Sequence, residues 1–206
     1  MVLKVKQFGI QRSGTNYIRQ LLLDNIVEVV IYENHFGHKH AVPLGEKGLN
    51  TWAAKKNREP IVKEDDVHPI IIIKNPYSWY QSIERFRASK FSFHREYERY
   101  NKLYKAYRKL CLKERPVFTA AHVVQYEKLL ADPRKEITII AEKFDADLYK
   151  QFKNPNKVIM SGQFTEDRKK FYLADDNFDL SDELINKITA AVDWEVVGFY
   201  GYEKRG

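Results

Sequence analysis

Four consecutive isoleucines, Ile70–Ile73, within the run His68–Lys74 constrain this chain more than any other feature. A strand with one wet face alternates apolar and polar residues, whereas a continuous β-branched run has to be covered on both faces. Strands of that kind belong to parallel sheets with helices on either side. The neighbouring pattern agrees. Val2–Ile10 and Val27–Tyr32 read as strands, with a helix over Asn16–Asp24 between them that carries Ile18, Leu21 and Leu22 on one face. After the isoleucines, Asn75-Pro76 breaks the strand and opens a helix with proline at its first position. Phe93–Lys113 reads as a long helix, Ala121–Tyr126 as a strand, and Asp132-Pro133 as a capped helix start. Lys157–Met160 reads as extended, Asn50–Asn57 as a short helix, and Ser181–Val192 as a last helix capped by Ser181. Strands alternating with helices predict an α/β fold, a single domain over residues 1–206 with a central, mainly parallel β-sheet flanked by helices.

The 206 residues can bury one core without a staple. Hydrophobic residues at 44% and charged residues at 31% suit a globular chain. No apolar run approaches the roughly 20 residues of a membrane span. The start, interrupted by Lys4 and Lys6, does not read as a signal peptide. The single cysteine, Cys111, cannot pair within the chain and reads as a packed helix residue; its isolation fits a reducing, cytoplasmic compartment. A net charge of +7 favours anionic partners, either nucleic acid or a small phosphorylated ligand. Tyr97, Tyr100, Tyr104 and Tyr107 recur at helical spacing, which reads as a packing face rather than a nucleic-acid platform.

The stretch Gly9–Ile18, GIQRSGTNYI, joins the first strand to the first helix. Backbone amides in such a loop and the positive end of the helix dipole suit an anion. Arg12 adds a fork that matches phosphate or sulfate oxygens, and Ser13, Thr15 and Asn16 add short donors. The Gly9–Gly14 spacing is that of a phosphate loop, but Thr15-Asn16 stands where a Lys-Ser/Thr pair is required for ATP and magnesium.

Arg12-Ser13-Gly14-Thr15-Asn16-Tyr17 resembles the 5′-phosphosulfate loop of sulfotransferases that use 3′-phosphoadenosine 5′-phosphosulfate (PAPS). In KNPYSWYQS, Lys74 ends the buried strand and Ser82 follows eight residues later, as in that family's 3′-phosphate motif, which normally begins with arginine. VVQYEKLLADPRKEI resembles its strand followed by Tyr-Glu-x-Leu, and the tail Asp193–Tyr202 is similar to the ending of short members. The resemblance implies a P-loop-NTPase-like sulfotransferase architecture. It also implies PAPS as donor, adenosine 3′,5′-bisphosphate (PAP) as product, and no metal. It assigns donor contacts to Arg12, Ser13, Gly14, Thr15, Asn16, Tyr17, Lys74, Ser82 and Tyr126, and less directly to Arg168 and Lys169 in the late basic stretch Ser161–Tyr172.

Sulfuryl transfer asks for a base, and histidine suits neutral pH. His35, His38 and His40 follow the second strand. The family's catalytic histidine lies there, shortly before a proline, which makes His40 the first choice, His38 the second, and Lys39 a helper of the leaving group. The His38-x-His40 spacing would also suit a metal, to which Glu33 or Asp65 could add, but no nearby cysteine or spaced histidine completes a ligand set. The acceptor, a small molecule or glycan offering a hydroxyl or amine, is expected over the histidine loop and over Trp79, Phe86 and Phe91. Two other functions compete: a kinase with a degenerate phosphate loop, and a noncatalytic nucleic-acid-binding module, for which a partner nucleic acid is the less favoured choice.

Overall fold

The isoleucines divide by parity. In a computed structural model of the chain, Ile71 and Ile73 point into one apolar layer and Ile70 and Ile72 into the other, all fully buried. This is the two-sided burial that a period-two backbone imposes on a central strand. The structure describes residues 2–44, 56, 67–112, 121–155, 157–158, 162–163, 173 and 180–205.

Four parallel strands form the sheet: β1 (Leu3–Gly9), β2 (Val29–Tyr32), β3 (His68–Ile73) and β4 (His122–Gln125), in the order β2-β1-β3-β4. Register pairs Leu3 with Val29, Gly9 with Ile72, and Ile73 with Gln125. One face is covered by α1 (Thr15–Asn25), α4 (Tyr126–Ala131) and α5 (Pro133–Lys143). The other is covered by α2 (Pro76–Arg87), α3 (Phe93–Cys111), α6 (Asp182–Ala191) and α7 (Trp194–Gly198). The chain is therefore a small α/β domain with a parallel sheet between helices. Among the described residues no helix is long and apolar enough to cross a membrane.

The caps follow the sequence. Asn75 accepts from the Tyr77 amide, Asp132 from the Lys135 amide, and Ser181 from the Leu184 amide. The fourth strand ends at Gln125 rather than Tyr126, because Tyr126 opens α4. A short antiparallel pair, β5 (Lys157–Val158) with β6 (Gly162–Gln163), stands apart from the main sheet. The helix expected over Asn50–Asn57 lies outside the described residues, apart from helical Lys56.

Order in the sheet reverses between β1 and β3, since the chain moves from β1 to one neighbour and then to the other. At such a point the loops leaving the carboxyl ends diverge and open a crevice, the usual ligand site of an open α/β sheet.

Candidate functional site

The loop between β1 and α1 turns on two residues with positive φ, Arg12 at 73° and Gly14 at 93°. A non-glycine residue in that region costs about 1–2 kcal/mol, so Arg12 is held there by its surroundings. The turn is closed by Ser13, fully buried, whose amide and hydroxyl both donate to Ile10 O at 3.1 and 2.7 Å. Gln7 Nε2 donates to Thr15 O, and Trp79 Nε1 donates to Gln11 O at 2.8 Å. Gly9 has no room for a side chain: a Cβ there would lie 2.6 Å from Ile72 and 2.7 Å from Ser13 Oγ. The loop is thus folded tightly over the end of β1, with the first-turn amides of α1 at its mouth. Arg12 Nε is shielded from solvent and has no hydrogen-bond partner among the described residues.

Lys74 and Ser82 form a second polar centre beside it. Lys74 Nζ donates to Ser82 Oγ at 2.7 Å, and both side chains are buried. The ammonium also lies 4.7 Å from the centre of the Tyr126 ring. A Cβ on Gly14 would overlap that same ring. One aromatic side chain therefore touches both the phosphate-type loop, at Gly14, and the lysine. Arg12 and Lys74 belong to adjoining loops of one sheet edge.

The backbone at Lys74 is fixed by the tyrosine stripe. Tyr100 and Tyr104 hydroxyls donate to Lys74 O at 2.8 Å, and Lys74 N donates back to Tyr104 Oη at 2.7 Å. Tyr97, Tyr100, Tyr104 and Tyr107 are all buried, so they supply no exposed stacking platform. Glu127 adds a second brace. Its Oε1 accepts from Asn75 N (2.9 Å) and Ser78 Oγ (3.2 Å), and its Oε2 from Tyr202 Oη (2.7 Å).

The histidine loop docks on the same strand end. Gly9 N donates to Lys39 O at 2.9 Å, and His40 Nδ1 lies 2.7 Å from Gly9 O. A carbonyl can only accept, so Nδ1 carries the proton and Nε2 keeps its lone pair. Burial, then the charges of Lys39, His38 and Arg99, lower the His40 pKa to about 4 against the opposing pull of the Gly9 carbonyl. The imidazole is neutral at pH 7. Lys39 Nζ donates to Asn16 Oδ1 at 2.7 Å, at the first turn of α1, and burial lowers its pKa. Exposed His38 accepts from His40 N at 3.2 Å through Nδ1, and its own pKa is also lowered, first by partial burial. His35 is buried against Tyr32.

Several residues that hold the site went unassigned in the sequence. Buried Lys6 donates to Glu33 O and Gly37 O, each at 2.8 Å, and ties down the turn before the histidines. Arg99 donates to His40 O at 3.0 Å. A lysine at a strand position that should be apolar was the available signal for the first; nothing local marks the second or Glu127.

Tyr17 is buried and donates to Asn154 Oδ1 at 3.0 Å. Trp79 is fully buried and cannot line an acceptor pocket; Phe91 packs against Tyr80, and Phe86 alone of the three is exposed. Arg168 and Lys169 lie outside the described residues. Cys111 is half-buried, and its thiol is pushed up to about 11 by burial. Among the described residues no three ligating side chains gather as a metal would need. No family model, curated protein or solved structure matches the chain.

Proposed function

We propose that this chain is a sulfotransferase with a P-loop-like architecture, taking PAPS as donor and releasing PAP. The observation that carries the reading is the Tyr126 ring, packed against both Gly14 and Lys74. It sets the loop that carries Arg12 beside Lys74, the arrangement that a nucleotide phosphorylated at both 3′ and 5′ positions would need. The buried, unpartnered Nε of Arg12 supports an anion at the loop.

In this reading Arg12 and the amides of Gly14, Thr15 and Asn16 hold the 5′ end, where leaving-group charge develops. Lys74 and Ser82 hold the 3′-phosphate, and Tyr126 lies by the adenine. When bound, the donor supplies an activated sulfuryl group whose bond to the 5′-phosphate oxygen breaks as a bond to the acceptor oxygen or nitrogen forms. His40 Nε2 receives the acceptor's proton, and the Nδ1–H on Gly9 O keeps that lone pair in place. Lys39, held at the first turn of α1, adds positive charge beside the loop. The lone cysteine supports a cytoplasmic setting.

Calorimetry with PAP and, separately, with ATP plus magnesium tests the reading. PAP is expected to bind more tightly, and Arg12→Ala and Lys74→Ala are each expected to weaken it roughly 10- to 100-fold, the loss of one charge-assisted contact. Tighter binding of ATP with magnesium would move the assignment to a kinase.

A further inference from the structure

A half-exposed phenyl ring stands against the loop between β1 and α1. Phe86, on the last turn of α2, is 48% exposed, and the guanidinium carbon of Arg12 lies over its ring, 5.2 Å from the centre. That distance is within cation–π range. The same stripe of α2 makes two more contacts with the site. Trp79 Nε1 donates to Gln11 O at 2.8 Å, one residue before Arg12, and Ser82 Oγ accepts from Lys74 Nζ at 2.7 Å. Residues 79, 82 and 86 stand at i, i+3 and i+7, on one side of a helix. Arg87 supplies a contrast. Its guanidinium carbon lies 5.8 Å from the centre of the same ring, but its Nε is 3.0 Å from Oε1 of buried Glu96, so its charge is met within the protein. Among the described residues no carboxylate pairs with Arg12.

We propose that Phe86 is a positioning residue for the donor, holding the Arg12 guanidinium ready for the 5′-phosphosulfate. The inference rests on the donor reading, because it takes Arg12 as the 5′ contact. A carboxylate could also hold a guanidinium, but it would occupy the N–H fork and cancel the charge that an anion needs. A phenyl face attracts the cation through its quadrupole and accepts no N–H, so the fork stays available to the ligand. The backbone end of the side chain is set as well. Arg12 sits at a φ of 73°, in a turn closed by Ser13 on Ile10 O. Arginine has many rotamers, and one already held at both ends loses less freedom when the anion arrives. Phe86 thus acts on the donor through Arg12 and needs no contact with it.

The test titrates PAP, and adenosine 3′-monophosphate, which lacks the 5′ phosphate, into the full chain by calorimetry. Variants are Phe86→Leu, which removes the ring but keeps an apolar side chain, Phe86→Tyr, which keeps the ring, Arg12→Ala, and Arg12→Ala combined with Phe86→Leu. Phe86→Leu is expected to weaken PAP roughly 2- to 10-fold, the span of one cation–π contact, and to leave the 3′-monophosphate unchanged. Phe86→Tyr is expected to bind PAP as the wild type does, and Phe86→Leu to have no further effect once Arg12 is alanine. A merely structural Phe86 would weaken both nucleotides, and would do so in the Arg12→Ala background too; that result overturns the assignment. So does PAP affinity that Phe86→Leu leaves unchanged, or an equal loss in Phe86→Tyr. Tighter PAP binding by Phe86→Leu, the outcome if the ring held Arg12 away from the ligand, overturns it as well. In all these cases PAP binding by the wild type preserves the donor reading, whereas a wild type that does not bind PAP removes both.

Discussion

Gly14→Ala strikes the point where the loop, Tyr126 and Lys74 meet. The backbone there has a φ of 93°, a region in which a Cβ costs about 1–2 kcal/mol. The added methyl would also overlap the Tyr126 ring, which lies against the Lys74 ammonium as well. Overpacking of this kind costs about 1–3 kcal/mol. Together the substitution should destabilise the domain by roughly 2–5 kcal/mol. For a chain of this length each kcal/mol lowers Tm by roughly 2–4 °C. Thermal and urea unfolding of the wild type and G14A, followed by circular dichroism, measure it. Where the variant still folds, a displaced Tyr126 should also weaken PAP. A change in stability within about 0.5 kcal/mol, the range of an ordinary surface substitution, would refute the packing described here.

Acid should destabilise the protein. His40 and His122 both have folded pKa values lowered to about 4 from 6.5, chiefly by burial. The unfolded chain therefore binds protons first: stability is full above about pH 6.5 and falls as pH drops toward 4, by at most about 3 kcal/mol per histidine. Urea midpoints at pH 7 and pH 4.5 check this; His122→Asn should flatten the profile, and a wild-type midpoint that does not move would contradict it. Glu127→Ala leaves Asn75 N–H and the Tyr202 hydroxyl without their acceptor and should cost about 2–4 kcal/mol in urea unfolding. Tyr104→Phe removes the hydroxyl that both accepts from and donates to the Lys74 backbone, at a cost of about 1–3 kcal/mol.

The parts of the fold that local chemistry dictates were legible. Ile70–Ile73 required burial on both faces, Asn75-Pro76 marked a helix start through its proline, and Asp132-Pro133 and Ser181 marked theirs through caps that form as expected. The end of β4 was not, because Tyr126 is as good a strand residue as a helix residue; its place against Gly14 and Lys74 is set by tertiary packing. The tyrosine stripe was legible as a packing face from its period, but its hydroxyls on the Lys74 backbone depend on strand register. Trp79 illustrates the reverse error. An aromatic residue near a binding loop suggests a pocket wall, yet here its indole braces the loop from within. Glu127 and Lys6 act across 52 and 27 residues of chain respectively, and no window of sequence displays that.

The central claim is that one nucleotide is gripped at its 5′ end by Arg12 and at its 3′ end by Lys74. Affinities of adenosine 3′,5′-bisphosphate, adenosine 5′-monophosphate and adenosine 3′-monophosphate for wild type, Arg12→Ala and Lys74→Ala test it directly by pairing each side chain with each phosphate. The account predicts that Arg12→Ala stops distinguishing the bisphosphate from the 3′-monophosphate, and that Lys74→Ala stops distinguishing it from the 5′-monophosphate. Equal losses for all three nucleotides in both variants would contradict it.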